Sequence, residues 1–419
     1  MTKTGKPGID RRTTLALMGA GAFSVATPWV ARAQAKTIKI GMPTILSGRV
    51  AQLGTSSRNA VMLEVEKVNA AGGLAGRQIE MVVRDSKGQP QEAARIAREL
   101  VNTDGCEIIL DGEASSGSFA VHEVARDIGV LCIHTCSEAS SLTADPKQHI
   151  PNAFRCVRQG IHDSIAGGSY AANIAKAKGL KKWATCSPDY AYGRDTTAEF
   201  VTYLKHFAPD VEIISENWPK LFQPDYTETV TKILQAKPQA LYSALWGGDL
   251  TSYIDQANIY AMFTQMEVFA VNMADYTALT VVKNLPKGIH SGNRYIKTYP
   301  ATAENAAWGD AYKAKYKEYP TNWSWQNATA VMFLSEAAKK ANSTDGKKLA
   351  EVLTGLTIKC PFGADGTVTM RGEDRTLVGY AIGWGTTIPT EPYVPDVKSG
   401  DWKQIFALEA EWKKSKGYT

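Results

Sequence analysis

Apolar and polar positions along the chain switch repeatedly between two periods. Short apolar runs predict strands over 37–41, 79–83, 107–110 and 130–133. Between them lie helical stripes. Val61, Met62, Val65 and Val68 recur at helical spacing over 58–69, and the stripe stops at Gly72-Gly73. Further helices are predicted over 90–101 and 118–128, the latter just after Ser115-Ser116-Gly117. The alternation then restarts. Strands over 182–186, 211–215, 240–245 and 268–271 frame helices over 196–207, 226–236 and 251–260. From about residue 288 the pattern is mixed, with helices over 305–316 and 325–340 and a Gly-rich stretch at 362–366. Strand–helix alternation of this kind predicts an α/β protein with parallel sheets covered by helices on both faces. Two such runs predict two similar lobes, although no literal repeat is visible.

Composition narrows the function. The 419 residues are 44% hydrophobic and 21% charged, enough for two packed domains. The formal charge of +5 invites a nucleic-acid reading. Lys3, Lys6, Arg11, Arg12 and Arg32, against Asp10 alone, supply most of it. Without the first 35 residues, 42 basic side chains face 41 acidic ones. A near-neutral body has no electrostatic reason to follow phosphates. Those 35 residues have the layout of an export signal: Arg11-Arg12, an apolar run over 15–30 broken by Pro28, then Ala31-Arg32-Ala33-Gln34-Ala35. The paired arginines fit a twin-arginine signal; an ordinary secretory signal is the alternative, and both lead to the periplasm. Six cysteines form no CxxC pair, which argues against a zinc or redox motif. Their spacing leaves any disulfide pattern open.

Two loops at strand ends are rich in small and hydroxylic residues: 114–117 and 135–140. In doubly wound sheets ligands sit beyond the carboxyl ends of strands. Such loops either cap the next helix with serine or offer its free N–H groups to an anion.

The chain from residue 37 to about 385 resembles the branched-chain amino acid binding family of periplasmic solute-binding proteins. Ile38-Lys39-Ile40-Gly41, Leu46-Ser47-Gly48, 69–76 with its Gly72-Gly73, Ser115-Ser116-Gly117, Phe154-Arg155 and 189–193 (Asp-Tyr-Ala-Tyr-Gly) follow in the family's order. The resemblance implies two Rossmann-like lobes joined by three crossings, the type I periplasmic binding protein fold. It implies lobe one over 36–157 and 290–370, and lobe two over 158–289 and 371–419. It further implies a monomer without cofactor or catalysis, which closes on a small molecule and delivers it to the permease subunits of an ABC transporter. Carried over, the ligand site holds Ser116, Gly117, Cys136, Ser137, Glu138, Tyr192, Trp246, Met273 and Asp275.

Departures from the family bear on the ligand. Amino acid binders place an acid for the ammonium just after the crossing into lobe two; here that stretch reads Val157-Arg158-Gln159-Gly160. A second acid falls at Asn272 or Met273, with Asp275 two residues on. An ammonium buried without a carboxylate costs several kcal/mol. An organic acid that is not an amino acid, aromatic for preference, is therefore expected, and Asp275 is the residue that would rescue an amino acid. Glu138 would repel a ligand carboxylate unless it turns away, takes a proton or pairs with Arg155 or Arg158. Trp323 and Trp325 offer either a further aromatic wall or core contacts. The rival class is an enzyme built on His134, Cys136 and Glu138. Three groups within five residues are near one another automatically, and catalytic groups come from separated segments as a rule.

Overall fold

The computed structural model describes residues 37–418, together with 1, 2, 4 and 5. The export segment expected over 1–35 lies almost wholly outside the described residues.

The first lobe opens as a parallel α/β unit: β1 (Ile38–Thr44), α1 (Ala51–Ala70), β2 (Ile79–Asp85), α2 (Pro90–Asn102), β3 (Ile108–Asp111), α3 (Ser115–Ile128), β4 (Leu131–His134), α4 (Ser141–Ala144) and β5 (Ala153–Arg155). The strand order is β2-β1-β3-β4-β5, all parallel. Every residue of β3 and β4 is buried, as strands covered on both faces must be. The chain then crosses into the second lobe with α5 (Gly160–Lys178), β6 (Lys182–Cys186), α6 (Ala191–Phe207), β7 (Glu212–Asn217), α7 (Thr227–Ala236), β8 (Ala240–Ser243), α8 (Gly247–Ile259), β9 (Glu267–Ala270), β10 (Ala274–Asp275), α9 (Tyr276–Leu279) and β11 (His290–Tyr295).

A second crossing returns it to the first lobe with α10 (Ala303–Tyr316), α11 (Asn322–Ala341), α12 (Gly346–Leu353), β12 (Thr357–Lys359), β13 (Thr367–Met370) and β14 (Leu377–Val378). Helix α11 packs along α1, and β12, β13 and β14 form a small antiparallel sheet. A third crossing ends in the second lobe with β15 (Gly383–Thr386), β16 (Lys398–Ser399) and α13 (Trp402–Lys416), which lies on α5. The second sheet runs β16-β15-β11-β9-β8-β6-β7, with β10 beside β11.

Two expected boundaries shift. β11 hydrogen-bonds to β9 and β15, so 290–295 join the second lobe rather than the first. β14 pairs with β13, so the third crossing falls after residue 378 rather than at 371. All six cysteines are free and buried. No described helix is long and apolar enough to cross a membrane.

Candidate functional site

Each sheet has a point where neighbouring strands send their connections to opposite faces: between β1 and β3 in the first, between β6 and β8 in the second. Loops diverge at such a point and leave a crevice. The two crevices face each other across one cavity of about 40 Å³ that is partly open to solvent. Its walls are the first turns of helices. Leu53 comes from α1, Ala114 and Ser115 from the start of α3, Tyr190 and Tyr192 from α6, Trp246 and Gly247 from α8, and Asn322 and Trp323 from α11.

Four of these helices begin without a side-chain cap: the N-cap residues are Val50, Ala114, Tyr190 and Trp246. First-turn N–H groups have no partner inside the helix. The first turn of α3 carries no acid of its own. Glu113, just before its N-cap, packs on it at Gly117, and burial pushes that carboxyl up to about 8, so no ionised carboxylate there opposes the helix's positive end at neutral pH. The aromatic rings supply flat apolar area. Trp246 and Trp323 meet edge to face at 5.7 Å between centroids, and Tyr190 lies 5.9 Å from Tyr192. Asn272 Nδ2 donates to the Tyr192 hydroxyl at 2.9 Å and to the carbonyls of Ala244 and Leu245. Burial pushes the Tyr192 hydroxyl well above its usual pKa.

Three charged side chains line the cavity, and each is engaged. Arg294, on β11, forms an ion pair with Glu138 and donates to Asp163 Oδ2 at 2.7 Å. Burial works against its charge, but Glu138 and Asp163 win and hold its pKa above the ordinary arginine value. Asp163 is shared with Arg158, so two arginines face two carboxylates. Glu138 Oε1 accepts from Asn322 Nδ2 at 2.7 Å. Asp275 accepts the Asn322 N–H at 2.6 Å and the Thr277 N–H at 2.9 Å, and burial raises its pKa.

Of the nine residues expected here, Cys136, Glu138, Tyr192, Trp246 and Asp275 line the cavity. Ser116, Gly117, Ser137 and Met273 do not. The neighbouring Ser115, the first residue of α3, lines the cavity where the resemblance implied Ser116. Gly117 packs on Glu113, whose side chain a Cβ would meet at 2.8 Å. Ser137 and Met273 are fully buried behind the walls. Glu138 pairs with Arg294, not with Arg155 or Arg158: Arg155 donates to the Ala139 carbonyl and Arg158 to Asp163. Trp323 is a wall, whereas Trp325 donates to the Arg294 carbonyl from within the core. No sequence signal marked Arg294, because its strand carries no apolar run. All six residues of His290–Tyr295 are buried although most are polar, and buried polar groups need partners.

His134, Cys136 and Glu138 do not converge. His134 Nδ1 lies 2.6 Å from Asp111 Oδ2, and its Nε2 lies 3.0 Å from His122. The Cys136 thiol contacts Ser57 and Asn327, and burial pushes its pKa up to about 12.

Two parallel α/β lobes, three crossings and a cavity between them are the architecture of a two-lobed binding protein. The chain belongs to the periplasmic binding protein family, which it matches over residues 37–382. It is 26% identical over 369 residues to the leucine-, isoleucine-, valine-, threonine- and alanine-binding protein of Pseudomonas aeruginosa, covering 85% of this chain and 92% of that one. Its fold is shared with a solute-binding protein of an ABC transporter from Rhodopseudomonas palustris solved with 3,4-dihydroxybenzoic acid: TM-score 0.77, 24% identity, 85% and 95% of the two chains. A second R. palustris solute-binding protein, solved with 4-hydroxybenzoate, superposes with a TM-score of 0.75 at 17% identity over 88% and 99% of the chains.

Proposed function

We propose that this protein is the exported receptor of an ABC importer and carries a small carboxylate with a flat apolar body, an aromatic acid for preference, to the permease subunits. The observation that carries the reading is the α3 N-terminus, without a side-chain cap and with its one neighbouring carboxyl, Glu113, pushed by burial towards the neutral form, opening into a cavity walled by Tyr190, Tyr192, Trp246 and Trp323. Helix N-termini hold anions through free N–H groups and the dipole, and the rings bury an aromatic body. Arg294 already faces Glu138 and Asp163, which leaves the helix terminus as the carboxylate seat. The far end of the ligand meets Asp275 and Glu138 and is best served by a hydrogen-bond donor such as a hydroxyl.

One observation favours a second reading. Asp275 lines the cavity and is 3% exposed, so a carboxylate is at hand for the ammonium of an amino acid. Thermal-shift measurements with benzoate, 4-hydroxybenzoate, 3,4-dihydroxybenzoate, leucine, valine, an amide and a betaine separate the two. Binding raises apparent stability by mass action, by about 2.7 kcal/mol at a hundred times Kd. Stabilisation by hydroxybenzoates is the expected result. Stabilisation by leucine or valine with no response to the aromatic acids rejects the first reading.

A further inference from the structure

The rim of the cavity holds a contact between the lobes beside Gly247 of the cavity wall. The loop after β1 brings Arg49 and Val50 of the first lobe onto the first turn of α8 in the second. Arg49 Nη2 donates to Ser252 Oγ at 2.7 Å and to the Gly248 carbonyl at 3.4 Å, and its Nε lies 3.5 Å from Asp249 Oδ1. Val50 is 3% exposed. This seating depends on two glycines. Gly247 has φ +53°, a left-handed position strained for any other residue, although a Cβ there would meet Val50 Cγ1 only at ordinary contact, 3.4 Å; a Cβ on Gly248 would lie 2.5 Å from the Arg49 carbonyl oxygen. That oxygen is backbone and cannot rotate out of the way. Gly248 itself is helical, without the positive φ that would demand glycine. Within its own lobe alanine is the better helix former at such a position.

We infer that Gly248 is a positioning residue for closure: its missing side chain lets the Arg49 carbonyl reach α8, so that the lobes meet at this rim. The inference rests on the cleft being the ligand site. Closure then sets affinity, because the enclosed state supplies the contacts that hold the ligand.

The prediction has two opposite signs in one variant. Gly248→Ala leaves the melting temperature of the ligand-free protein unchanged or raises it, and weakens binding of 4-hydroxybenzoate at least tenfold by calorimetry. A ligand-independent arm uses Val50→Cys with Gly247→Cys. The two Cβ positions are 4.0 Å apart, within the range that a disulfide spans. Oxidation of this pair traps the closed rim, and adding Gly248→Ala slows trapping at least tenfold. A lowered melting temperature for Gly248→Ala, or trapping at the same rate with and without it, overturns the inference. If 4-hydroxybenzoate binds neither the parent protein nor the variant, the aromatic-acid reading fails and the trapping rates alone decide this one.

Discussion

Arg294 and Glu138 show how a charged pair survives inside a cavity wall. Both are nearly solvent-free, at 3% and 5% exposure, and each has a further partner, Asp163 for the arginine and Asn322 for the glutamate. Removing one member of a buried pair strands the other, at a cost of about 3–5 kcal/mol, whereas replacing both by apolar side chains is often close to neutral. Glu138→Met should therefore lower the unfolding free energy by about 3 kcal/mol, and adding Arg294→Met should recover most of it. Urea unfolding of the two single variants and the double variant checks this. A double variant less stable than Glu138→Met would mean that the pair contributes more than mutual neutralisation.

In the proposed reading, helix starts rather than side-chain charges form the anion seat. The consequence is testable at α3. Ala114→Asp installs a favourable N-cap, worth about 1 kcal/mol, and at the same time puts a carboxylate where the ligand's own is proposed to sit. The ligand-free protein should melt higher, while affinity for a carboxylate should fall at least tenfold; a cationic ligand would bind more tightly instead. The same helix starts explain what the sequence did and did not reveal. Strands over 79–83 and 182–186 were legible from apolar runs, and α2 from Pro90 and its stripe. The starts of α3, α6 and α8 were placed three to five residues late. Cap signals are what mark a helix start in a sequence, and these three helices have none, because their N–H groups face the cavity. Arg294 and Thr277 come to the site from β11 and α9, late in the second lobe, and Asn322 from α11 after the second crossing, segments whose register no local pattern reveals.

The two lobes are also tied away from the cavity. Glu409 on α13 accepts from Arg371 at 2.7 Å and lies 3.1 Å from His162 Nε2 on α5. Lys413 on α13 donates to Asp374 at 2.9 Å, beside the third crossing. Burial opposes ionisation of Glu409, but His162 and Arg371 outweigh it and hold the carboxyl far below its usual pKa. Asp374 is lowered in the same way by Arg371 and Lys413. Carboxyls depressed in the folded state bind protons more readily once unfolded. Their stabilisation is complete above the ordinary carboxylate range and is lost as pH falls below about 4. The urea midpoint should hold near neutral pH and drop steeply in acid. Glu409→Gln should lower the midpoint at pH 7 and flatten that acid limb; an unchanged limb would place the acid sensitivity elsewhere.

Because α11 packs along α1, the first lobe is finished with material made long after it was begun. A ribosome must deliver the chain through Ala341 before the earliest helix finds its partner, and most of the second lobe emerges in the interval. Pairing so distant in sequence carries a loop-closure penalty and slows folding. Until that point the apolar side of α1 stands uncovered, so nascent chains halted before α11 should be the species that aggregates or recruits chaperones.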